Sequence, residues 1–163
     1  SGAGMNVSEK SGSGTMNCET YTRRVHYYET DQMGIVHHSN YIRWFEEGRV
    51  DFLRKNGISC RNMESLGIQM AVTSVNCEYK APAHFDETVT VETRLAMYNG
   101  VRAAFEYSAT GDAGALLVRG RSEHCFITGG RGLPLNMNKK MPELSGVMTR
   151  LLGEGSPDTE VKE

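Results

Sequence analysis

The feature that most constrains this fold is a change in hydrophobic period after residue 57. Residues 40–57 (NYIRWFEEGRVDFLRKNG) carry apolar side chains three or four positions apart, which predicts one long amphipathic helix. The period then falls to two, and each alternating segment predicts a strand. These segments are 68–79, 88–97, 101–109 and 115–127. We therefore expect one long helix packed against a sheet of several strands.

The predicted helix has a start signal, a stop signal and one apolar face. Ser39 or Asn40 can cap its first turn, and Asn56-Gly57 can end it. The residues expected to face the sheet are Tyr41, Ile42, Phe45, Phe52 and Leu53.

The remaining segments complete an α+β pattern. Residues 21–28 (YTRRVHYY) predict a first strand, and residues 142–152 predict a short closing helix. Asn99-Gly100 predicts a tight hairpin between two strands. One helix covers one face of such a sheet and leaves its edges unpaired, so we expect the chain to associate with further copies of itself.

Composition narrows the class of protein. Residues 1–20 are rich in Gly and Ser, and residues 153–163 are acidic, so we expect disordered tails around a single domain at 21–152. A net charge of −2 argues against nucleic-acid binding, and no apolar run approaches the roughly 20 residues of a membrane helix. The four cysteines lack disulfide or metal-site spacing, which favours reduced thiols in the cytoplasm and no metal.

The loop between the first strand and the helix contains the most informative residues. Asp31 lies seven residues before His38, and Gly34 between them permits a sharp turn. Backbone N–H groups near His38 would be free at the positive end of the helix. A carboxylate facing such donors suits thioester hydrolysis, which needs a base or nucleophile and donors for an oxyanion. From these residues alone, Asp31 could equally be a turn former.

The pattern Y-x-E-T-D-x-x-G-x-V-x-H-x-x-Y over residues 27–41 resembles the 4-hydroxybenzoyl-CoA thioesterase family, and the resemblance extends over roughly residues 20–145. It implies a hotdog fold, in which an antiparallel sheet wraps a long helix. It also implies dimers joined edge to edge, often paired into homotetramers, with active sites at the dimer interface. The implied reaction converts acyl-coenzyme A to a carboxylic acid and free coenzyme A, which is part of the substrate, so no cofactor is expected.

The resemblance also assigns roles to individual residues. Asp31 corresponds to the catalytic carboxylate, acting as nucleophile or as general base, and the N–H at His38 would polarise the carbonyl. The positions expected to line the substrate site are Tyr27, Gly34, Val36, Tyr41 and the His38 side chain. Because coenzyme A carries phosphates, a cationic rim is expected, and Arg102 and Arg131 are its candidates. Each arginine could equally be a solvated surface charge.

Other activities and pairings remain open at this stage. The alternatives are an acyl carrier protein thioesterase, an enoyl-thioester hydratase or dehydratase that uses His38 with Glu46, and a non-catalytic acyl-CoA binding module. We expect one of Glu46 and Glu47 to be solvated and the other to pair with Arg43 or Arg49 on the same helix. The adjacent rings of His37 and His38 are expected to point in different directions.

Overall fold

The computed structural model describes residues 18–153, which form five strands, four helices and a short 3-10 turn at Tyr27–Glu29. The strands are β1 (Cys18–Arg24), β2 (Ile68–Tyr79), β3 (Thr88–Tyr98), β4 (Arg102–Thr110) and β5 (Leu116–Thr128). The helices are α1 (Asn40–Lys55), α2 (Cys60–Ser65), α3 (Met137–Lys140) and α4 (Pro142–Leu152). This confirms the α+β class, the long helix and the strands predicted after it.

The strands form a single antiparallel sheet in the order β1-β3-β4-β5-β2. The predicted hairpin joins β3 to β4, where the Asn99 side chain accepts hydrogen bonds from the backbone of Val101 and Arg102 at 2.9 and 2.8 Å. Gly100 completes this turn with φ +92°, a conformation that favours glycine. The sheet thus exposes β1 and β2 as its two edges.

Helix α1 packs across the sheet so closely that one of its positions must be glycine. A Cβ atom on Gly48 would lie 2.8 Å from Thr93 Oγ1 and 2.9 Å from Val91 Cγ1 of β3. The Phe45 ring stacks on Tyr107 of β4, with ring centroids 4.5 Å apart and planes 6° from parallel. These contacts hold the middle of α1 close against β3 and β4.

The predicted face of α1 was wrong at one residue. Ile42 is 42% exposed, whereas Trp44, which was not predicted to be in the core, is 0% exposed. Trp44 follows Tyr41 by three positions and therefore shares its side of the helix, whereas Ile42 is rotated about 100° away from Tyr41. The indole is thereby placed beneath the loop that precedes α1.

The first strand also differs from its prediction at 21–28. Strand β1 begins at Cys18, which moves residues 18–20 out of the predicted tail, and it ends at Arg24. The chain then turns because the Glu29 carboxylate accepts the His26 N–H at 2.8 Å and the Glu29 N–H donates to the His26 carbonyl at 2.9 Å. The rest of both predicted tails, apart from Gly153, lies outside the described residues.

Strand β2 is an edge strand with little buried surface. Ile68 is its one buried residue, and Val72, Val75 and Tyr79 are exposed. The alternating apolar residues that predicted β2 therefore do not form a buried face within the described residues. None of the helices between residues 18 and 153 is long and apolar enough to cross a membrane.

Candidate active site

The segment between the 3-10 turn and α1 folds into a closed loop. Thr30 and Val36 pair as an antiparallel bridge, and the Asp31 N–H donates to the Ile35 carbonyl at 2.8 Å. Gly34 turns the chain with φ +81° and donates its N–H to the Asp31 carbonyl at 3.0 Å. A side chain at Gly34 would strain this turn, which is the role that the sequence predicted for it.

The Asp31 carboxylate is held at one oxygen and open at the other. Its Oδ1 accepts the Met33 N–H at 2.8 Å, and the residue is half-buried. No donor among residues 18–153 contacts Oδ2. Asp31 is therefore fixed by its own loop, as a turn former would be, while one oxygen stays available for chemistry.

The start of α1 presents a free backbone donor. The His37 N–H donates to Glu29 O and the Asn40 N–H donates to His37 O, whereas the His38 N–H meets no acceptor in the described part of the chain. Neither predicted cap acts as one. The Ser39 hydroxyl contacts His37 Nδ1 at 2.9 Å, and the Asn40 amide donates to the Glu29 carbonyl at 2.9 Å. The His38 N–H thus remains at the positive end of the helix.

Glu29 connects this helix start to the sheet. Its carboxylate accepts from both terminal nitrogens of Arg23 at 2.9 and 3.0 Å, and from the Trp44 indole at 3.0 Å. Burial by itself would raise the pKa of Glu29, but the Arg23 ion pair and the hydrogen bonds from His26 and Trp44 lower it below its ordinary value. Glu29 is therefore a charged structural residue that ties β1, the loop and α1 together.

Two cavities lie on either side of the loop. The larger, about 640 Å³, is polar and contains the Asp31 carboxylate in its wall. Its lining residues are Tyr27, Tyr28, Thr30, Asp31, Gln32, His37, Ser39, Asn40 and Arg43. The smaller, about 330 Å³, is mostly apolar and is lined by Ile35, Val36, His38, Tyr41, Tyr79, Lys80, Ala81 and Pro82. Within one chain the loop separates the carboxylate from the apolar space.

The predicted site residues divide between these cavities. Tyr27 lines the cavity of Asp31, whereas Val36, Tyr41 and His38 line the apolar one. Gly34, also predicted to line the substrate site, is a lining residue of neither cavity. The Tyr79 hydroxyl donates to the His38 carbonyl at 3.1 Å, and burial together with a hydrogen bond to Cys77 raises the pKa of Tyr79 to about 12, so the hydroxyl stays protonated. The apolar cavity therefore lies next to the backbone of His38, which carries the free N–H.

Arg102 and Arg131 are not brought to this site by their own chain. Arg102 begins β4 and Arg131 follows β5, whereas the Asp31 loop contacts the opposite end of the sheet through Ala83 and His84. The length of β4 alone separates the two ends by roughly 25 Å. Either arginine could reach an Asp31 site only from another subunit.

Two expectations about side chains near the site were wrong. The His37 and His38 rings do not diverge but stack, with centroids 4.3 Å apart and planes 27° from parallel. Glu47 pairs with Arg23 of β1 at 2.8 Å rather than with an arginine of its own helix. Arg49 instead donates to the Tyr107 hydroxyl at 3.0 Å. For Glu47 and Arg49, contacts across the fold replace the pairing within the helix that the sequence suggested. The two histidine rings are held together locally, where His37 contacts Ser39.

The network of Arg23, Glu29 and Trp44 was not predicted from the sequence. The single available signal was a tryptophan three positions after Tyr41, because a buried indole needs an acceptor for its N–H. Nothing in the spacing identified Glu29 as that acceptor. Sequence reasoning therefore found the reactive loop and missed the charged residues that hold it.

A lone antiparallel sheet around a long helix, with a carboxylate loop at the helix start, is the architecture of a hotdog-fold thioesterase. Comparison with known proteins supports this class directly. Residues 25–149 match the family model of the thioesterase-like superfamily. The chain belongs to that superfamily, which confirms the resemblance found in the sequence and the enzyme class, a thioester hydrolase.

Individual relatives agree with this assignment. A Bacillus subtilis protein named "Putative acyl-CoA thioesterase YneP" is 36% identical over 119 residues, which cover 73% of this chain and 86% of that protein. The Escherichia coli acyl-CoA thioester hydrolase YbgC is 29% identical over 82 residues, covering 50% of this chain and 61% of its own. The crystal structure of a DHNA-CoA thioesterase from Staphylococcus aureus superimposes with a TM-score of 0.80 at 30% identity, covering 82% of this chain and 89% of that one.

Proposed function

We propose that this chain hydrolyses acyl-coenzyme A thioesters to a carboxylic acid and free coenzyme A, with Asp31 as the catalytic carboxylate. The observation that carries the proposal is that one loop and the helix start after it supply two groups: a half-buried carboxylate that keeps one free oxygen, and a backbone N–H, at His38, that has no acceptor between residues 18 and 153. Family membership supplies the class of reaction. The names of the relatives favour coenzyme A as the carrier.

The two groups have complementary tasks. Asp31 either attacks the thioester carbonyl or takes a proton from a water that attacks it. The carbonyl oxygen becomes negatively charged in both routes, and the His38 N–H stabilises that charge. In the first route the C–S bond breaks to leave a mixed anhydride on Asp31, the thiolate takes a proton from water, and water then hydrolyses the anhydride to the carboxylic acid and free Asp31. In the second route the C–S bond breaks to give the carboxylic acid directly, and the thiolate takes back the proton that Asp31 removed from water. Tyr27, Val36 and Tyr41 would contact the substrate, and Gly34 would keep the loop in place.

The proposal includes self-association through β2. This edge strand exposes Val72, Val75 and Tyr79 together with unpaired backbone groups, and a second copy would cover both. Such a dimer, or a tetramer built from it, gives Arg102 and Arg131 of one subunit a route to the phosphates of a substrate bound to another. Light scattering is expected to give the mass of a dimer or tetramer. A species of 18.1 kDa alone would remove this part of the proposal.

We also propose a reducing, cytoplasmic location. The cysteines at 18, 60, 77 and 125 are all free thiols. Burial first, and then a hydrogen bond with Glu92, raises the pKa of Cys18 to about 11. A thiol of that kind stays protonated and unreactive at neutral pH.

The test is thiol release from a panel of acyl-CoA and acyl carrier protein thioesters by the wild type and by Asp31→Asn. We expect rapid release by the wild type from at least one acyl-CoA and a loss of about 1,000-fold or more in Asp31→Asn. Asp112→Asn is a matched control, because Asp112 lies in the exposed turn between β4 and β5. Near-normal turnover by Asp31→Asn would refute the role of Asp31. Thiol release from acyl carrier protein thioesters alone would mean that the substrate is carried by that protein and not by coenzyme A.

The hydratase alternative receives no support from the geometry. It requires His38 and Glu46 to act on one substrate, but Glu46 is exposed on α1 and lines neither of the two cavities. Loss of enoyl-CoA absorbance without thiol release would favour this alternative over hydrolysis.

A further inference from the structure

His37, to which no role was assigned, is exposed to solvent and yet held firmly. Its backbone N–H donates to the Glu29 carbonyl at 2.9 Å, and its ring stacks on the ring of His38. The ring nitrogen Nδ1 lies 2.9 Å from Ser39 Oγ and accepts the Ser39 N–H at 3.2 Å. The ring is therefore fixed from its backbone, from one face and from one edge.

These contacts decide which ring nitrogen carries the hydrogen. A nitrogen that accepts an amide N–H must present a lone pair, so the Nδ1 of His37 is unprotonated in this arrangement. A neutral imidazole then carries its hydrogen on Nε2. No acceptor in the described part of the chain contacts Nε2 of His37. The side chain thus offers one oriented and unused N–H.

The position of His37 gives this donor a target. His37 lines the same polar cavity as Asp31, whereas His38 is among the lining residues of the apolar cavity. Arg43 is the one cationic residue among the lining residues of the Asp31 cavity. Of the two adjacent histidines, His37 is therefore the one that lines a cavity together with Asp31.

Building on the proposed hydrolysis, we propose that His37 is a further catalytic residue, whose Nε2–H donates a hydrogen bond to the leaving sulfur of the thioester. Water adds its oxygen to the carbonyl carbon while Asp31 takes its proton. The C–S bond then breaks, and its electron pair goes to sulfur. The hydrogen bond from His37 stabilises this negative sulfur until the proton held by Asp31 reaches it. The products are a carboxylic acid and a thiol, and His37 neither gains nor loses a proton.

The backbone donor and the ring donor then serve different atoms. The His38 N–H belongs to the helix start and is assigned to the carbonyl oxygen, where charge forms first. The His37 Nε2–H belongs to a side chain in the cavity of Asp31 and acts where charge forms next. Two adjacent residues thereby stabilise successive positions of the same negative charge.

Three substitutions at His37 test whether the side chain acts as a hydrogen-bond donor or only packs against its neighbours. His37→Phe keeps an aromatic ring for stacking and loses the donor. In His37→Gln the amide nitrogen lies near the position of Nε2, and in His37→Asn it lies near Nδ1. We expect kcat to fall about 10- to 100-fold in the Phe and Asn variants, the usual effect of losing a hydrogen bond to a charged group, with KM changed less than about twofold. His37→Gln should retain activity within about fivefold of the wild type.

A change of leaving group identifies the atom that receives the hydrogen bond. An aryl thioester releases a more acidic thiol, whose sulfur needs less stabilisation than that of coenzyme A. The ratio of kcat/KM between the wild type and His37→Phe should therefore shrink to about threefold or less on the aryl thioester of the same acyl group. Equal ratios on both substrates would overturn the assignment to sulfur. A His37→Gln variant as slow as His37→Phe would overturn the donor role.

Controls separate this inference from the proposed function. His84→Phe changes an exposed side chain that lines neither cavity and keeps the backbone of His84, which forms the bridge to Ile35 of the loop, so it should leave kcat unchanged. If Asp31→Asn is inactive while His37→Phe is fully active, the role of His37 fails and the hydrolysis stands. If the wild type releases no thiol from any acyl-CoA, the proposed function itself fails. Thermal unfolding of each variant, followed by circular dichroism, checks that the fold is retained.

Discussion

Two carboxylates two residues apart behave in opposite ways in this structure. Glu29 is 4% exposed, and both of its oxygens are occupied by Arg23, His26 and Trp44. Asp31 is half-buried, and one of its oxygens has no partner among residues 18–153. A charge taken out of water must be paired, and a fully paired carboxylate has no free electron pair to use. Burial therefore makes Glu29 a structural residue and leaves Asp31 available for reaction.

The two residues nevertheless depend on each other. The Glu29 backbone carbonyl accepts from the His37 N–H and from the Asn40 amide, each at 2.9 Å, so Glu29 sets the position of the helix start. Asp31 follows Glu29 by two residues in the loop. Glu29 thus anchors both the start of α1 and the chain segment that leads to Asp31.

The largest expected effect is a loss of turnover when the charge of Asp31 is removed. Asp31→Asn removes the charge but keeps an oxygen that can accept the Met33 N–H. We expect kcat to fall about 1,000-fold or more while the free energy of unfolding changes by less than about 0.5 kcal/mol. Thiol-release kinetics and urea unfolding measure the two quantities. A large loss of stability would mean that Asp31 is structural as well.

The same chemical change at Glu29 should act on stability. Glu29→Gln leaves the Arg23 guanidinium, whose side chain is 8% exposed, without its main counter-charge. Breaking one side of a buried ion pair costs about 3–5 kcal/mol, and urea unfolding is expected to show a loss of this size. An unfolding free energy equal to that of the wild type would show that the Glu29 charge is dispensable.

A buried histidine extends the comparison to pH. His124 is 0% exposed and contacts Ser122 Oγ through Nε2 at 2.7 Å, and burial first, then the charge of Arg49, lowers its pKa from 6.5 to about 4. Between these values the unfolded chain binds a proton that the folded chain does not, so stability falls as the pH falls. We expect a loss of about 2 kcal/mol between pH 7 and pH 5.

Urea unfolding at each pH, compared with His124→Gln, measures the contribution of His124. The variant has no group that titrates at this position, and its free energy of unfolding should depend less on pH over the same interval. Parallel curves for the two proteins would show that another group causes the dependence.

The smallest effect is expected at the exposed arm of the same ion-pair network. Glu47 also binds Arg23, at 2.8 Å, but its side chain is 36% exposed. Glu47→Gln keeps an oxygen acceptor, and solvent screens the lost charge, so the free energy of unfolding should change by less than about 1 kcal/mol. A loss as large as that of Glu29→Gln would mean that burial does not separate the two acidic partners of Arg23.

Local patterns were sufficient for the elements and for the reactive loop. The period of 3.6 located α1, the period of two located β2 to β5, and Asn99-Gly100 located a hairpin, because each depends on neighbours in the chain. The motif over residues 27–41 identified Asp31, Gly34 and the His38 N–H. The three are found in one closed loop and the helix start that follows it.

What local patterns missed involves partners distant in sequence. Trp44 and Glu29 are 15 positions apart, Arg23 and Glu47 are 24 apart, and neither spacing follows from a helix or a strand. These contacts exist because the sheet brings β1 beneath α1.

The sequence by itself determined the class of fold and the family, and it named Asp31 as the candidate carboxylate, since each is written in residue types and their spacing. Only the tertiary structure decided which acidic residue is buried and paired, which histidine ring shares the cavity of Asp31, and that Arg102 and Arg131 lie at the far end of the sheet. The physical reason is that burial and pairing belong to surfaces in contact. Those surfaces are assembled from segments that the chain itself keeps far apart.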